Sequence, residues 1–265
     1  MLRTAQKDAA LFIADRDLFV PTIYAQGPWD PGAQFGGAPA ALIATLVEKV
    51  PSLVPMQIAR VTTDLLRPVP LSPLTADVRV VREGKKIQVV TVSLLADGLE
   101  VTRATALRVR RTVVDADGLP DGRFPNPLPT QPRDVDDEPF PAPEPHGARL
   151  ATEWLFEEAG GHYRQPSWIR LRIDVIAGEP ALPVAKLAFV ADTASGAGTG
   201  RHVQLPFSWT NADVAVNVVR EPVGEWLCLD GEGWVGHTGT GQVQATVLDT
   251  EGVVATISMV RFINL

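Results

Sequence analysis

Asp192 closes a run, residues 184–191, that is apolar apart from Lys186. A carboxylate at the end of such a run is partly stripped of water, and desolvation raises its pKa towards that of a usable general base. The plain alternative is a solvated surface acid, although the C-terminal half of a helix offers negative charge no favourable dipole. Gly36 and Gly37 form a second pattern. They precede an almost unbroken apolar run, so their backbone amides would stand at a helix N-terminus, where an oxyanion or a phosphate is stabilised. A tight turn packed against a sheet would use the same two residues. Other chemistries are poorly supplied. His146, His162, His202 and His237 are scattered over loop-like sequence without Cys partners or His–Glu spacing, so metal ligation is not expected. The glycine-rich residues 196–201 follow a helix pattern instead of a strand, which argues against a dinucleotide fingerprint and for a loop beside a pocket. No Gly-x-Ser-x-Gly elbow supports a serine nucleophile. Cys228, between Leu227 and Leu229, reads as packing.

The elements that must position these groups occur twice. Residues 38–50 form a run with almost no polar residue before Glu48, and a helix apolar on all sides is buried on all sides. Gly36-Gly37 before it and Pro51 after it are the start and stop signals. Strand patterns follow at 60–66, 74–80, 87–93 and 100–109, with turns at Glu83-Gly84-Lys85 and Asp97-Gly98. A second set has an alternating strand at 169–175, a helix at 181–194, and strands at 214–220, 225–229, 242–248 and 253–262. Arg67 and Arg220 lie 153 positions apart, and Gly98 and Gly252 lie 154 apart. A repeat on that scale is a duplicated domain, not a solenoid. The division is a first unit over 1–111 and a second over 151–265, each a sheet wrapped around one helix. Residues 112–150 join them as a proline-rich, acidic linker, with eight prolines between 125 and 145. Between Asp30 and Glu48 the first helix region has no carboxylate, so the chemistry is expected in the second unit. Residues 231–241, with Gly231, Gly233, Gly236, Gly239 and Gly241, read as a flexible connection able to cover a pocket.

Composition bounds the rest. Hydrophobic residues make up 45% of the 265, enough for a sizeable core. A net charge of −7 supplies no basic field for nucleic acid. One cysteine cannot form an internal disulfide, so a reducing cytoplasm is the expected location. No apolar run approaches the ~20 residues of a membrane span, and residues 1–17 contain no signal-peptide core.

Several of these residues, in this order, resemble a known family. Phe35-Gly36-Gly37 before an apolar helix, the strand end Leu66-Arg67-Pro68, residues 187–192, Thr210-Asn211-Ala212-Asp213 and Gly224-Glu225-Trp226-Leu227 are similar to the acyl-CoA thioesterase II family. The resemblance covers the chain apart from the proline-rich linker. It implies an α+β fold, the double hot dog, in which two tandem units each wrap an antiparallel sheet around a central helix. It also implies hydrolysis of fatty acyl-CoA to free fatty acid and CoA without a cofactor, coenzyme A being part of the substrate, and a homo-oligomer of two or more chains. A thiolate leaves readily, so a carboxylate that orients water suffices without a covalent nucleophile.

The resemblance further implies an Asp near the end of the second helix, a Thr on the next strand and a Gln on the last strand. The Asp falls on Asp192. The Thr falls on Asn211, with Thr210 one step away. The Gln falls on or beside Met259, where this chain departs from the family, since residues 253–263 contain no Gln, Asn, Asp or Glu. Met259 donates no ordinary hydrogen bond, and Ser258 beside it points to the opposite face of a strand, so either the register shifts by one and Ser258 faces the site, or the triad is incomplete. The catalytic candidates are therefore Asp192, Asn211 and Thr210, and the substrate-binding candidates Gly36, Gly37, Ser258 and Met259. A departure at the Gln leaves a non-catalytic acyl-CoA- or lipid-binding module as the competing reading. An enoyl-CoA hydratase, the third, would need a His close to the Asp, and residues 192–197 contain none.

Overall fold

A computed structural model of the chain describes residues 9–114, 146–156, 166–197 and 208–264. In the first unit β1 (Ala10–Asp15), β2 (Leu18–Pro21) and a single 3-10 turn precede helix α1 (Gly37–Glu48). Strands β3 (Met56–Leu65), β4 (Leu74–Arg82), β5 (Ile87–Ala96) and β6 (Leu99–Arg110) then run as an antiparallel set. The second unit comprises α2 (Gly147–Leu150), β7 (Thr152–Phe156), β8 (Ser167–Leu171), β9 (Asp174–Ile176), α3 (Pro183–Ala191) and α4 (Ala194–Ala197). Strands β10 (Ser208–Asn211), β11 (Asp213–Val218), β12 (Leu227–Val235), β13 (Thr240–Asp249) and β14 (Gly252–Asn264) complete it.

The apolar composition of α1 has the consequence expected of it: every residue from Gly37 to Thr45 is buried, as is Val47. The one hydroxyl in that stretch, Thr45, donates to the Ala41 carbonyl one turn back at 2.9 Å. Helix α3 starts on Pro183, whose fixed φ suits a first turn. It stops at Ala191, three residues earlier than the pattern suggested, with Asp192 as its cap. The two helices pack against each other inside one 14-stranded sheet with the order β7-β8-β12-β13-β14-β11-β3-β6-β5-β4-β2-β1-β9, β10 pairing separately with β14. This is the double hot dog. Strand β5 shows how the sheet is built, with Gln88, Val90, Val92, Leu94 and Ala96 buried in strict alternation. Its hairpin to β6 turns on Asp97 and Gly98 with φ of 48° and 78°, the left-handed pair that a two-residue loop requires.

The units meet at two edges. Strand β11 pairs antiparallel with β3, from Asp213 opposite Asp64 to Asn217 opposite Arg60, and β1 pairs parallel with β9. The second seam divides what alternates as one strand over 169–175. The chain breaks at Arg172-Ile173; β8 stays between β7 and β12, while β9 crosses to β1 at the far end of the sheet. Alternation continues across the break because both pieces bury the same parity. Residues 231–241 are largely a regular hairpin, β12 running to Val235 and β13 from Thr240. Gly231 serves that hairpin by allowing close approach, since a Cβ there would lie 2.8 Å from that of Ala245.

The end of the connecting segment is folded. α2 docks through the Ala148 amide, which donates to the Gln26 carbonyl at 3.0 Å. Residues 115–145, the proline-rich stretch, lie outside the described residues, as do residues 198–201 of the glycine-rich run. Among the described residues no helix is long and apolar enough to cross a membrane.

Candidate functional site

Asp192 is the residue at which α3 ends, and its side chain is 6% exposed. Antiparallel helix packing brings this end of α3 to the start of α1. There the Gly37 N–H faces the Asp192 carboxylate and favours its ionised form. A Cβ on Gly36 would stand 2.9 Å from Oδ2 and 3.0 Å from Oδ1 of the same carboxylate. Both glycines are thus explained by space, not by backbone angle: Gly36 makes room for the acid, and Gly37 lets α1 approach the Phe189 carbonyl of α3. The rings of Phe35 and Phe189, 5.2 Å apart and tilted, wall the junction.

From β10, the Asn211 amide nitrogen donates to Asp192 Oδ1 at 3.0 Å. Asn211 Oδ1 is buried and accepts no hydrogen bond from the described residues. Asn211 reaches the site because of a one-residue step in pairing. Asn211 stands opposite Arg261, whereas Ala215 stands opposite Ser258, one residue out of register with it. The extra residue, Ala212, acts as a bulge and reverses the parity of β10 relative to β11.

Burial pushes the Asp192 carboxyl up to about 6, against the Asn211 amide and the Gly37 N–H, which both pull it down. The helix dipoles do not decide the matter. The negative end of α3 and the positive end of α1 act on it with opposite signs, each worth roughly 0.3–1 kcal/mol. Desolvation therefore wins, and the ionised form costs about 3 kcal/mol more here than in water. Such a carboxylate is still ionised at neutral pH and a much better proton acceptor than an exposed one.

The structure brings Asp192, Asn211, Gly36 and Gly37 to one point, and it does not bring Thr210, Ser258 or Met259 there. Thr210 is exposed on the outer face, where its hydroxyl accepts from Asn264 at 3.0 Å. The bulge at Ala212 is the reason. Ser258 opposes Ala215 on the outer face of the sheet. Met259 faces inward but is fully buried in the hydrophobic core opposite Val243. The Gly36-Gly37 amides were expected to face substrate, and the Gly37 N–H instead meets the acid.

Sequence reasoning missed Arg261. It lies two residues beyond Met259 on the same face of β14 and is 1% exposed. It donates from Nη1 to the Ser195 carbonyl at 3.2 Å and stacks over Trp209, 4.9 Å from the ring centroid. The signal was a charged residue on the apolar parity of the strand, after Ile257 and Met259. The first unit also carries a carboxylate at the matching helix position. Glu48 lies nine residues after Pro39, as Asp192 lies nine after Pro183. Burial raises its carboxyl too, but Arg108, 3.9 Å away, and the Ile58 N–H oppose that. Ile58 stands opposite Arg108 where Asn211 stands opposite Arg261, so no amide side chain completes a site there. Among the described residues no group of three or more His, Cys, Asp or Glu side chains is placed to hold a metal ion.

Comparison with known proteins gives the family and the fold. The family model of the acyl-CoA thioesterase N-terminal domain matches residues 25–109, and that of the acyl-CoA thioesterase C-terminal domain matches residues 126–259. No curated protein matches the chain. Among solved structures, a hot-dog protein of unknown function from Alicyclobacillus acidocaldarius is similar, with a TM-score of 0.71, 18% identity and 97% of each chain covered. An acyl-CoA thioesterase II from Mycobacterium marinum superposes with a TM-score of 0.67 at 17% identity over 94% of each chain. The tesB protein of Mycobacterium avium subs paratuberculosis does so with a TM-score of 0.66 at 18% identity, covering 94% of this chain and 93% of its own. At these identities the structural likeness speaks to the fold.

Proposed function

The chain belongs to the acyl-CoA thioesterase family and is a thioester hydrolase, and from that premise we propose that it cleaves fatty acyl-CoA with a water activated by Asp192. One observation carries the reading: a buried carboxylate seated against Gly36 of the first half and bonded by Asn211 of the second, which burial pushes up to about 6. Ionised above that pH, Asp192 takes one proton from water as the water oxygen attacks the thioester carbonyl. Asn211 Oδ1 accepts the second hydrogen, so both hydrogens are directed and a lone pair faces the carbon. Negative charge gathering on the carbonyl oxygen is favoured by the nearby N-terminus of α1. The tetrahedral intermediate collapses as the C–S bond breaks, and the CoA thiolate recovers the proton from Asp192. Acyl-CoA and water balance the reaction without a cofactor.

Thiol release measured across acyl-CoA chain lengths, alongside calorimetric binding, tests the reading. Turnover is expected with kcat/KM rising tenfold per pH unit below about pH 6 and levelling above it, because the free enzyme must lose the Asp192 proton. A profile flat through pH 6 would remove Asp192 as the base. Binding without turnover would favour the acyl-CoA-binding module.

Asn211→Ala separates the two tasks given to that residue. Loss of water positioning should lower kcat by about 100-fold. Loss of a hydrogen bond to the ionised carboxylate should also move the acid limb to higher pH, since that bond holds the Asp192 pKa down. An unchanged limb would mean that the Asn211–Asp192 bond plays no part in the working enzyme.

A further inference from the structure

We propose that Arg261 is a positioning residue for the catalytic carboxylate, bracing the segment that carries Asp192 through Ser195 and Trp209. The inference rests on Asp192 as the base. A guanidinium is removed from water at β14 only at considerable cost unless its donors are used. Arg261 spends one of them on the Ser195 carbonyl, three residues past Asp192. Trp209, stacked on the guanidinium, donates its indole N–H to the Ser195 hydroxyl at 2.8 Å. Ser195 is therefore held through two atoms by two neighbouring strands. Asn211, two residues from Trp209 and directly opposite Arg261, holds Asp192 itself. The short turn from Asp192 to Ser195 is thus tied at both ends to the same piece of sheet.

The first unit shows what the same arginine does when it is not bracing a base. Arg108 and Arg261 are 153 positions apart, the spacing of Arg67 and Arg220. Each reaches a carbonyl just past its own central helix, Arg108 that of Val50 at 2.7 Å. Arg108, however, also lies 3.9 Å from Glu48, the counterpart of Asp192. A guanidinium that close stabilises the anion and makes it a poorer base. In the second unit, among the described residues, the groups that face Asp192 are the Gly37 N–H from α1 and the Asn211 amide from β10. The first turn of α1 carries no acidic residue, and the arginine of β14 is turned to Ser195. Arg261 fixes the position of Asp192 without pairing with it.

The test compares Arg261→Met, Arg261→Lys, Trp209→Phe and Asp192→Asn in thiol release, pH profile and urea denaturation. In Arg261→Met, kcat should fall by about 100-fold, the effect of misplacing a catalytic group by about an ångström. Its acid limb should drop below pH 6, because a loosened turn admits water to a carboxylate whose pKa is raised by burial. Arg261→Lys, still able to donate to the Ser195 carbonyl, should recover much of kcat. A folded Arg261→Met with a lower urea midpoint but wild-type kcat and acid limb would overturn the proposal. Should that variant not fold, Trp209→Phe reads the same brace, since it removes only the bond to the Ser195 hydroxyl and keeps an aromatic ring. A smaller fall in kcat with the limb moved the same way supports the brace, and an unchanged limb overturns it. Turnover retained in Asp192→Asn would instead overturn the base assignment. An inactive Asp192→Asn beside unaffected Arg261 and Trp209 variants would overturn the brace alone.

Discussion

Asp192→Asn should lower kcat/KM by about 1000-fold, the middle of the range for removing a general base. The same substitution should not destabilise the protein at pH 7.5. Asp192 has its pKa raised from the ordinary 3.8 to about 6 in the folded state. A raised pKa means that the native state holds a proton which the unfolded chain releases between those values. The associated stability is present below about pH 4 and is lost as the pH rises through about 6. At neutral pH the wild type therefore carries a charge that costs about 3 kcal/mol. A neutral amide removes part of that cost, less whatever is lost where its NH2 meets the Asn211 and Gly37 donors. The urea midpoint of Asp192→Asn relative to wild type should accordingly improve between pH 4 and pH 7.5. A relative midpoint independent of pH would show that Asp192 is not the buried acid described. Retained turnover would show that it is not the base.

Gly36→Ala should cost catalysis more than stability, and Gly37→Ala the reverse. At Gly36 a Cβ meets both carboxylate oxygens and the Cγ of Asp192 within 3.1 Å. Only a side chain stands in the way, so the fold can yield by displacing it, at a cost of about 1–3 kcal/mol. The displaced group is the base, and kcat should fall by about 100-fold. At Gly37 the added methyl runs into the Phe189 backbone carbonyl and the Phe35 ring. Neither can retreat without separating α1 from α3. The loss should reach about 3 kcal/mol or more, read as a large shift in the denaturation midpoint. Wild-type kcat in Gly36→Ala would mean that Asp192 works from a position other than the one against Gly36.

The fold was legible because its signals are redundant. The run 38–47, apolar but for Thr45, could only be a buried helix, and Asp97-Gly98 marked the hairpin joining β5 and β6, although a bulge at Leu94/Leu95 shifts their register beyond it. What escaped was pairing at a distance. The two short strands within residues 10–21 pair with β9 and β4, contacts that no local pattern announces. The split of 169–175 leaves no trace in alternation, because β8 and β9 keep one parity while joining opposite ends of the sheet. The site followed the same rule. Asp192 was visible as an acid ending an apolar run. The choice between Thr210 and Asn211 was not, because counting back from the buried Val214 and Val216 selects Thr210, and only the step at Ala212 selects Asn211. Arg261 was visible in principle. A search of the last strand for a Gln, Asn or acid passed over a cation standing at an inward position.

The two seams, β3 with β11 and β1 with β9, join the halves by strand pairing as well as through the chain. A chain cut between the halves should stay together through both paired edges and through α1 on α3, as size-exclusion chromatography of the cleaved protein would show. On the proposed mechanism neither fragment should turn over alone, because one carries the glycines that seat the acid and the other carries the acid with its amide. The molecule is in this sense a natural split enzyme, and its turnover is a readout of whether the two pieces have found each other.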